Sequence, residues 1–304
     1  MTEDLSFVPT LGTNSEYVPI NGVESGTHTD CILKESLRPL SRYADSPQRI
    51  PRESFVLSTS FPDILPPAGI KLLNSADAIF IRGEFIALRV IGNKKAVLPL
   101  QGQDLETYRK IVEAVANSSP SIIYYRLMDY NPDEFTFFCN VDTHTIRGSR
   151  RLLRDETLLK YELDVVRLFK KYGKKVRIIL PHVTSPEEQL AIQKIVRDEA
   201  PDQIGAMIEN IEHITNIVDY PATDFLFPGP ADLTADLKKT KRGEYRESDE
   251  NTEIIDLVKG LTKVKYKGKV PELLLIKILV NKILSGERQT VHNVYMPNQL
   301  VSAR

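Results

Sequence analysis

From Ser54 onwards, short β-rich apolar runs alternate with stretches whose apolar residues recur at helical spacing. Phe55–Ser60, Ala78–Arg82, Ile122–Arg126, Val176–Leu180, Ile204–Ile208 and Asp224–Phe227 read as six strands. After the second, Leu105, Tyr108, Ile111, Val112 and Val115 mark one face of a helix at 3.6-residue spacing. Leu152, Leu159, Leu163, Val166 and Phe169 predict one long helix, with Gly173 as its C-cap. Ser185, Pro186 and Glu188 supply an N-cap, a first-turn proline and a capping-box acid for a helix running to about Glu199. A shorter helix is predicted near Ile211–Val218 and a weak one near Gly69–Asn74. Strands and helices in this alternation predict a parallel sheet with right-handed crossovers. The fold expected is α/β, a (β/α)8-type TIM barrel whose last two units are degenerate. No glycine-rich fingerprint follows the first strand, which counts against a dinucleotide fold.

The pattern weakens at both ends. Residues 1–53 are rich in Gly, Pro, Ser, Thr and Asn without sustained periodicity, and read as an irregular arm on a body spanning 54–304. Beyond Arg242, Thr252–Thr262 reads as a helix and Val264–Tyr266 as a short seventh strand. Pro271–Leu284 reads as a strongly apolar helix, and Thr290–Met296 as a last strand or a tail. A helix apolar on most sides belongs in a core or an interface. We expect a homo-oligomer interface through the 270–285 helix, because weak closure of the barrel leaves a surface to cover.

Composition narrows the picture. With 40 basic and 41 acidic residues the formal net charge is −1, so no global field argues for nucleic acid or membrane. The two cysteines, Cys31 and Cys139, fit a reducing compartment without a disulfide framework. The first residues lack a signal-peptide layout, and the most apolar window carries Glu272, Lys277 and Lys282. A soluble cytoplasmic protein is expected.

In a barrel, residues at the C-terminal ends of strands face the active site. Here those ends carry Arg82-Gly83-Glu84, Arg126 with Asp129 close by, Pro181-His182, Glu209, and Gly229-Pro230-Ala231-Asp232, while Arg147, Arg150 and Arg151 precede a helix. Glu209 and Asp232, at the ends of successive strands, suit one Mg²⁺ or Mn²⁺ completed by substrate oxygens. Guanidinium forks match phosphate and carboxylate. A single Arg or Glu at a strand end is more often a structural ion pair, and it is their co-occurrence that argues for a ligand site. His182 and His144 are weaker candidates, and Cys139 reads as a small buried residue.

These same stretches resemble the phosphoenolpyruvate-binding barrels of the PEP-utilising enzymes, a group that includes enzyme I of the sugar phosphotransferase system, PEP synthase and pyruvate phosphate dikinase. ADAIFIRGEF (76–85) is similar to GADGIGLxRTEF, IIYYRLMD (122–129) to vivRTLD, and RGSRR (147–151) to GxRG/GxRxxR. VRIILPHVTSPEE (176–188) is similar to IMxPMVxsxEE, MIE (207–209) to MxE, and GPADLT (229–234) to GTNDLTQ, with Arg242-Gly243 where the group has DRGN. The resemblance implies Glu209 and Asp232 as metal ligands. It implies Arg82, Arg126, Arg150 and Arg242, with Gly229 and Ala231, as the surroundings of PEP, pyruvate or a related 2-oxo acid. The group's GMCGE-type cysteine has no counterpart, since no cysteine follows Cys139, and Ala231 stands where the group has asparagine. GPADLTADL is also similar to the GPxDLSxSLG of HpcH/HpaI-type aldolases and citrate-lyase β relatives. The leading expectation is therefore a Mg²⁺-dependent enzyme of phosphoryl-transferase type acting on such an acid. The alternatives are a metal-dependent C–C lyase and a non-catalytic homologue that binds a ligand or partner.

Overall fold

Successive side chains of a strand point to opposite faces of its sheet, so the position of each residue along a strand decides which layer it joins. A computed structural model describes residues 55–58, 62–65, 67, 70, 73–74, 76–91, 96–129, 146–240, 254, 257, 261, 272–276 and 291–295. They form an α/β fold on a parallel, curled sheet. Its strands are β1 (Phe55–Ser58), β2 (Ala78–Arg82), β3 (Ile122–Arg126), β4 (Lys175–Leu180), β5 (Gln203–Ile208), β6 (Phe225–Pro228), β7 (Glu272–Ile276) and β8 (Val291–Tyr295). Each pairs in parallel with the strand before it, and β8 pairs in parallel with β1.

Two apolar layers follow from the alternation. Ala78 and Phe80, Tyr124, Ile179, Met207, and Phe225 and Phe227 pack with one another on the concave face, without helix residues. Phe80 meets Phe227 edge-on at 5.2 Å between ring centroids, and Tyr124 meets Phe225 at 5.3 Å. Gly205 makes room for this layer, because a Cβ there would lie 2.2 Å from the Phe225 ring. The intervening residues, such as Ile79, Ile123, Ile178 and Ile204, face outward into the layer shared with the helices.

The helices are α1 (Gly83–Ile91), α2 (Gly102–Ser118), α3 (Gly148–Arg154), α4 (Glu156–Lys171), α5 (Pro186–Arg197), α6 (Ile211–Thr215) and α7 (Pro230–Lys238). The single long helix expected across 152–169 is two. Asp155 leaves helical geometry and caps α4, its side chain accepting the Leu158 N–H at 2.9 Å. The capping box of α5 is half formed. Ser185 Oγ accepts the Glu188 N–H at 3.2 Å, while the Glu188 carboxylate accepts from Thr184 and Arg150 instead of turning back.

One expectation is overturned. The apolar run beginning at Pro271 carries strand β7 at Glu272–Ile276, between β6 and β8, where a helix was predicted. Its near-continuous hydrophobicity is that of a parallel strand rather than of an all-round apolar helix. The helix expected over 270–285 is therefore not formed at 272–276, and residues 277–285, on which the expected homo-oligomer interface also rests, lie outside the described residues. The last strand among the described residues is Val291–Tyr295, within the range predicted for a strand or a tail. Ile254 and Leu261 are helical and buried against Ile208, Leu226 and Leu233. The N-terminal arm, the strand predicted at 264–266, Cys139, His144 and Arg242 lie outside the described residues. No helix among the described residues is long and apolar enough to cross a membrane.

Candidate functional site

Continuing the inward alternation past the apolar layer brings polar residues to one end of the concave face. Ala78 and Phe80 lead to Arg82, Tyr124 to Arg126, Met207 to Glu209, and Phe227 to Gly229. Arg82 and Arg126 are register partners across β2 and β3.

Arg126 is buried, and its Nη2 donates to Glu84 Oε1. Its Nη1 faces Met207 Sδ at 3.7 Å, and its Nε has no partner. Burial alone would weaken this guanidinium's hold on its proton, but Glu84, Asp129 and Glu209 outweigh it and raise its pKa. Arg82 Nε lies 3.8 Å from the same Glu84 oxygen, and its guanidinium sits 4.1 Å above the Phe85 ring. Glu84 reaches both arginines because α1 starts directly after β2. Gly83 permits that turn, since a Cβ there would lie 2.4 Å from Glu162 Oε2 and 2.7 Å from the Tyr125 hydroxyl.

Arg147, the residue before α3, is the hub of the other half. Its Nε and Nη2 donate to the two oxygens of Asp129 at 2.9 and 2.5 Å, and its Nη1 lies 3.5 Å from Asp232 Oδ1. Burial works to raise the Asp129 pKa, but the charge and hydrogen bonds of Arg147, aided by Arg126, hold it well below the usual carboxylate range. Gly148 follows with φ +62°, and a Cβ there would lie 2.5 Å from His182 Cβ and 2.9 Å from the Pro181 carbonyl. That carbonyl accepts both the N–H and the hydroxyl of Ser149, at 2.9 and 2.7 Å. Glycine therefore brings α3, with Arg147 at its head, against the end of β4.

Glu209 is buried at the end of β5, and its Oε2 accepts the His182 N–H at 2.9 Å. Burial pushes its carboxyl up to about 8, helped by the charges of Asp232 and Asp129 and opposed by Arg147 and Arg126. Gly229 closes over it, since a Cβ there would lie 2.9 Å from Glu209 Cγ. Asn210 caps α6 through the His213 N–H at 2.7 Å and donates to the Val183 carbonyl at 2.9 Å, which ties the ends of β4 and β5 together.

The structure thus brings Arg126, Glu209 and Asp232 into one charged cluster with Arg147, Asp129 and Glu84, and sets Arg82 beside Glu84. Ala231 lies in the first turn of α7, beside Asp232. Arg150 stands apart. Its side chain is half exposed and donates to Thr184 Oγ1 at 2.7 Å and Glu188 Oε2 at 3.3 Å. Three members of the cluster, Arg147, Glu84 and Asp129, stand among the strand-end residues of the sequence without an assigned role. Arg147 and Gly148 sit in the same RGSRR stretch as Arg150, and the spacing does not say which arginine turns inward.

Among the described residues no group of three or more His, Cys, Asp or Glu side chains forms a metal cage. A cation here would rest on Glu209 and Asp232 and complete its shell with ligand oxygens and water, the habit of Mg²⁺. The donors fit such an ion. Both are hard carboxylates, and a divalent cation would offset the burial and the neighbouring Asp232 charge that together raise Glu209.

No family model matches the chain. A protein described as a probable phosphoenolpyruvate synthase, from Methanocaldococcus jannaschii, is 25% identical over 201 residues. The likeness is distant. It covers 59% of this chain and 16% of that protein, so the chain spans under a fifth of its relative's length. Among solved structures, a maltogenic α-amylase from Thermotoga neapolitana aligns over 80% of this chain and 71% of its own at 9% identity and a TM-score of 0.29, which carries no argument.

Proposed function

We propose that the cluster binds phosphoenolpyruvate, pyruvate or a related 2-oxo acid together with Mg²⁺ or Mn²⁺, and that the chain is an enzyme of the PEP-utilising type built on a (β/α)8 barrel. The observation that supports this most is the pairing of Glu209 and Asp232 with Arg126 and Arg147 at one end of the concave face. The low-identity likeness to a probable PEP synthase agrees with it.

In this reading Glu209 and Asp232 hold the ion, which supplies a Lewis acid for oxygen atoms that gain charge. Glu84 holds the Arg126 guanidinium in place, and Asp129 does the same for Arg147 through two hydrogen bonds. Two fixed cations in a poorly hydrated site stabilise a phosphate, or an enolate oxygen, far better than mobile cations in water. Arg82 adds a third positive charge at the rim. The same array serves C–C cleavage through a pyruvate enolate, a second reading supported by the GPADL turn, in which Gly229 packs on Glu209.

The test is proton exchange. Pyruvate with Mg²⁺ in D₂O should lose its methyl proton signal by NMR in the presence of this protein, and Glu209→Gln should slow that loss at least about a hundredfold. With phosphoenolpyruvate and oxaloacetate run alongside, pyruvate formed from phosphoenolpyruvate marks transfer of its phosphoryl group, to water where free phosphate appears, and release of carbon dioxide from oxaloacetate marks cleavage. Absence of exchange, transfer and cleavage would leave a binding protein and sink the enzyme reading.

A further inference from the structure

We propose that His182 contacts the ligand directly, its imidazole donating a hydrogen bond to an oxygen of the anion held by the cluster. This rests on the reading that the cluster is a binding site for a small carboxylate or phosphate. It assigns that site a residue which neither the metal pair nor the arginines account for.

The backbone is the first observation. His182 has φ +36°, in the left-handed region that side chains with a Cβ rarely enter. Its neighbours hold it there from three sides. The Pro181 carbonyl is fixed by both donors of Ser149, the His182 N–H is fixed by Glu209 Oε2, and Gly148 packs directly on His182 Cβ. Strain of this kind persists only where the surroundings over-determine it, and it gathers at functional sites. A glycine or asparagine would satisfy the same turn at lower cost. The position instead holds an imidazole.

The side chain is the second observation, independent of the first. His182 Nδ1 is buried and has no hydrogen-bond partner. Buried polar atoms nearly always have one, and an orphan calls for an explanation. Its surroundings are those of the site, for its backbone N–H meets Glu209 Oε2 and Gly148, next to Arg147, packs on its Cβ. An imidazole nitrogen that carries its hydrogen is a donor, and Nδ1 can be that nitrogen. The buried His213, whose two ring nitrogens also lack partners, is different. It lies stacked on Tyr220 at 3.8 Å within the packing of α6, where it serves as an apolar ring. His182 stands at the mouth of the sheet among charged groups, where an anion's oxygen is the partner its Nδ1 lacks.

The experiment compares the wild-type chain with His182→Asn and His182→Met, using oxalate and inorganic phosphate as probes, each with and without Mg²⁺. Asparagine carries its amide nitrogen the same number of bonds from Cβ as Nδ1 and tolerates the left-handed backbone. Methionine removes the donor. By titration calorimetry, the Asn variant should hold oxalate within about threefold of wild type, and the Met variant should weaken it about tenfold or more. Mn²⁺ affinity should be unchanged in both, because the contact with Glu209 comes from the backbone. In wild-type protein labelled with ¹⁵N-histidine, oxalate should shift the His182 Nδ1 resonance, assigned by its absence from the Asn variant. That measurement decides the matter alone if the Met variant fails to fold. Oxalate bound equally well by wild type and the Met variant, or bound by wild type with no shift at His182, overturns the assignment while the site reading stands. A wild-type chain that takes up neither probe, with or without metal, overturns both.

Discussion

Two buried carboxyls near the site titrate in opposite senses, and the difference lies in what faces them. Asp129 receives a bidentate guanidinium and is held low, whereas Glu162 receives only the Met128 N–H at 2.6 Å and the Tyr125 hydroxyl at 3.1 Å. Burial, with the charge of Glu84, therefore raises Glu162 from 4.5 to about 8 despite those bonds. Between these values the folded chain keeps a proton that the unfolded chain has released, so Glu162 favours folding less and less as pH rises through that window. We predict that Glu162→Gln flattens the fall in stability from about pH 4.5 to 8 by an amount on the order of a few kcal/mol, measured by urea denaturation with chelator present. The chelator matters because Glu209 acts in the same sense and an ion would reverse it. Asp129 works the other way, adding stability above its unfolded pKa that is lost on acidification. At this scale the sequence was partly legible. Glu209 and Arg126 were visible because strand alternation sends them inward, whereas Asp232 sits in the first turn of α7 and was visible through the GPADLT stretch that opens that helix. Arg147 and Glu84 were not, because they lie on turns whose direction depends on how Gly148 and Gly83 pack.

Elements were more legible than side chains. All six strands predicted between Phe55 and Phe227 are present within about two residues, because buried parallel strands announce themselves as short β-branched and aromatic runs. One error came where a polar residue decided the outcome. Asp155 splits the expected long helix, and nothing in the apolar spacing of 152–169 reveals that its side chain caps α4. Glycine at a helix start carries more weight here than propensity suggests. Gly148→Ala should cost at least about 2 kcal/mol in chemical denaturation, since it combines an unfavourable φ with a clash against backbone at Pro181 and His182. Ser185→Ala should cost about 1 kcal/mol, because only one arm of the capping box is in place at α5.

For the molecule as a whole, the run of apolar residues after Pro271 is the instructive case. A run of this length satisfies both a buried helix and a buried strand, and only its place between β6 and β8 decides between them. Proline tests the difference. Leu274→Pro would remove a backbone donor within β7 beside His292 of β8, and should abolish cooperative thermal unfolding. If the segment were instead a separate surface helix, the transition of the remaining body would survive.

The pairing of β1 with β8 joins stretches near the two ends of the described chain. A ribosome finishes Phe55–Ser58 long before it makes Val291–Tyr295, and at typical elongation rates the gap lasts on the order of ten to fifty seconds. Through that interval one edge of β1 has no neighbour, although β2 to β6, with Glu209 and Arg126 already in place, can pair in the order they emerge. The charged end of the sheet can thus assemble before β8, the last of the described strands to be made, reaches β1.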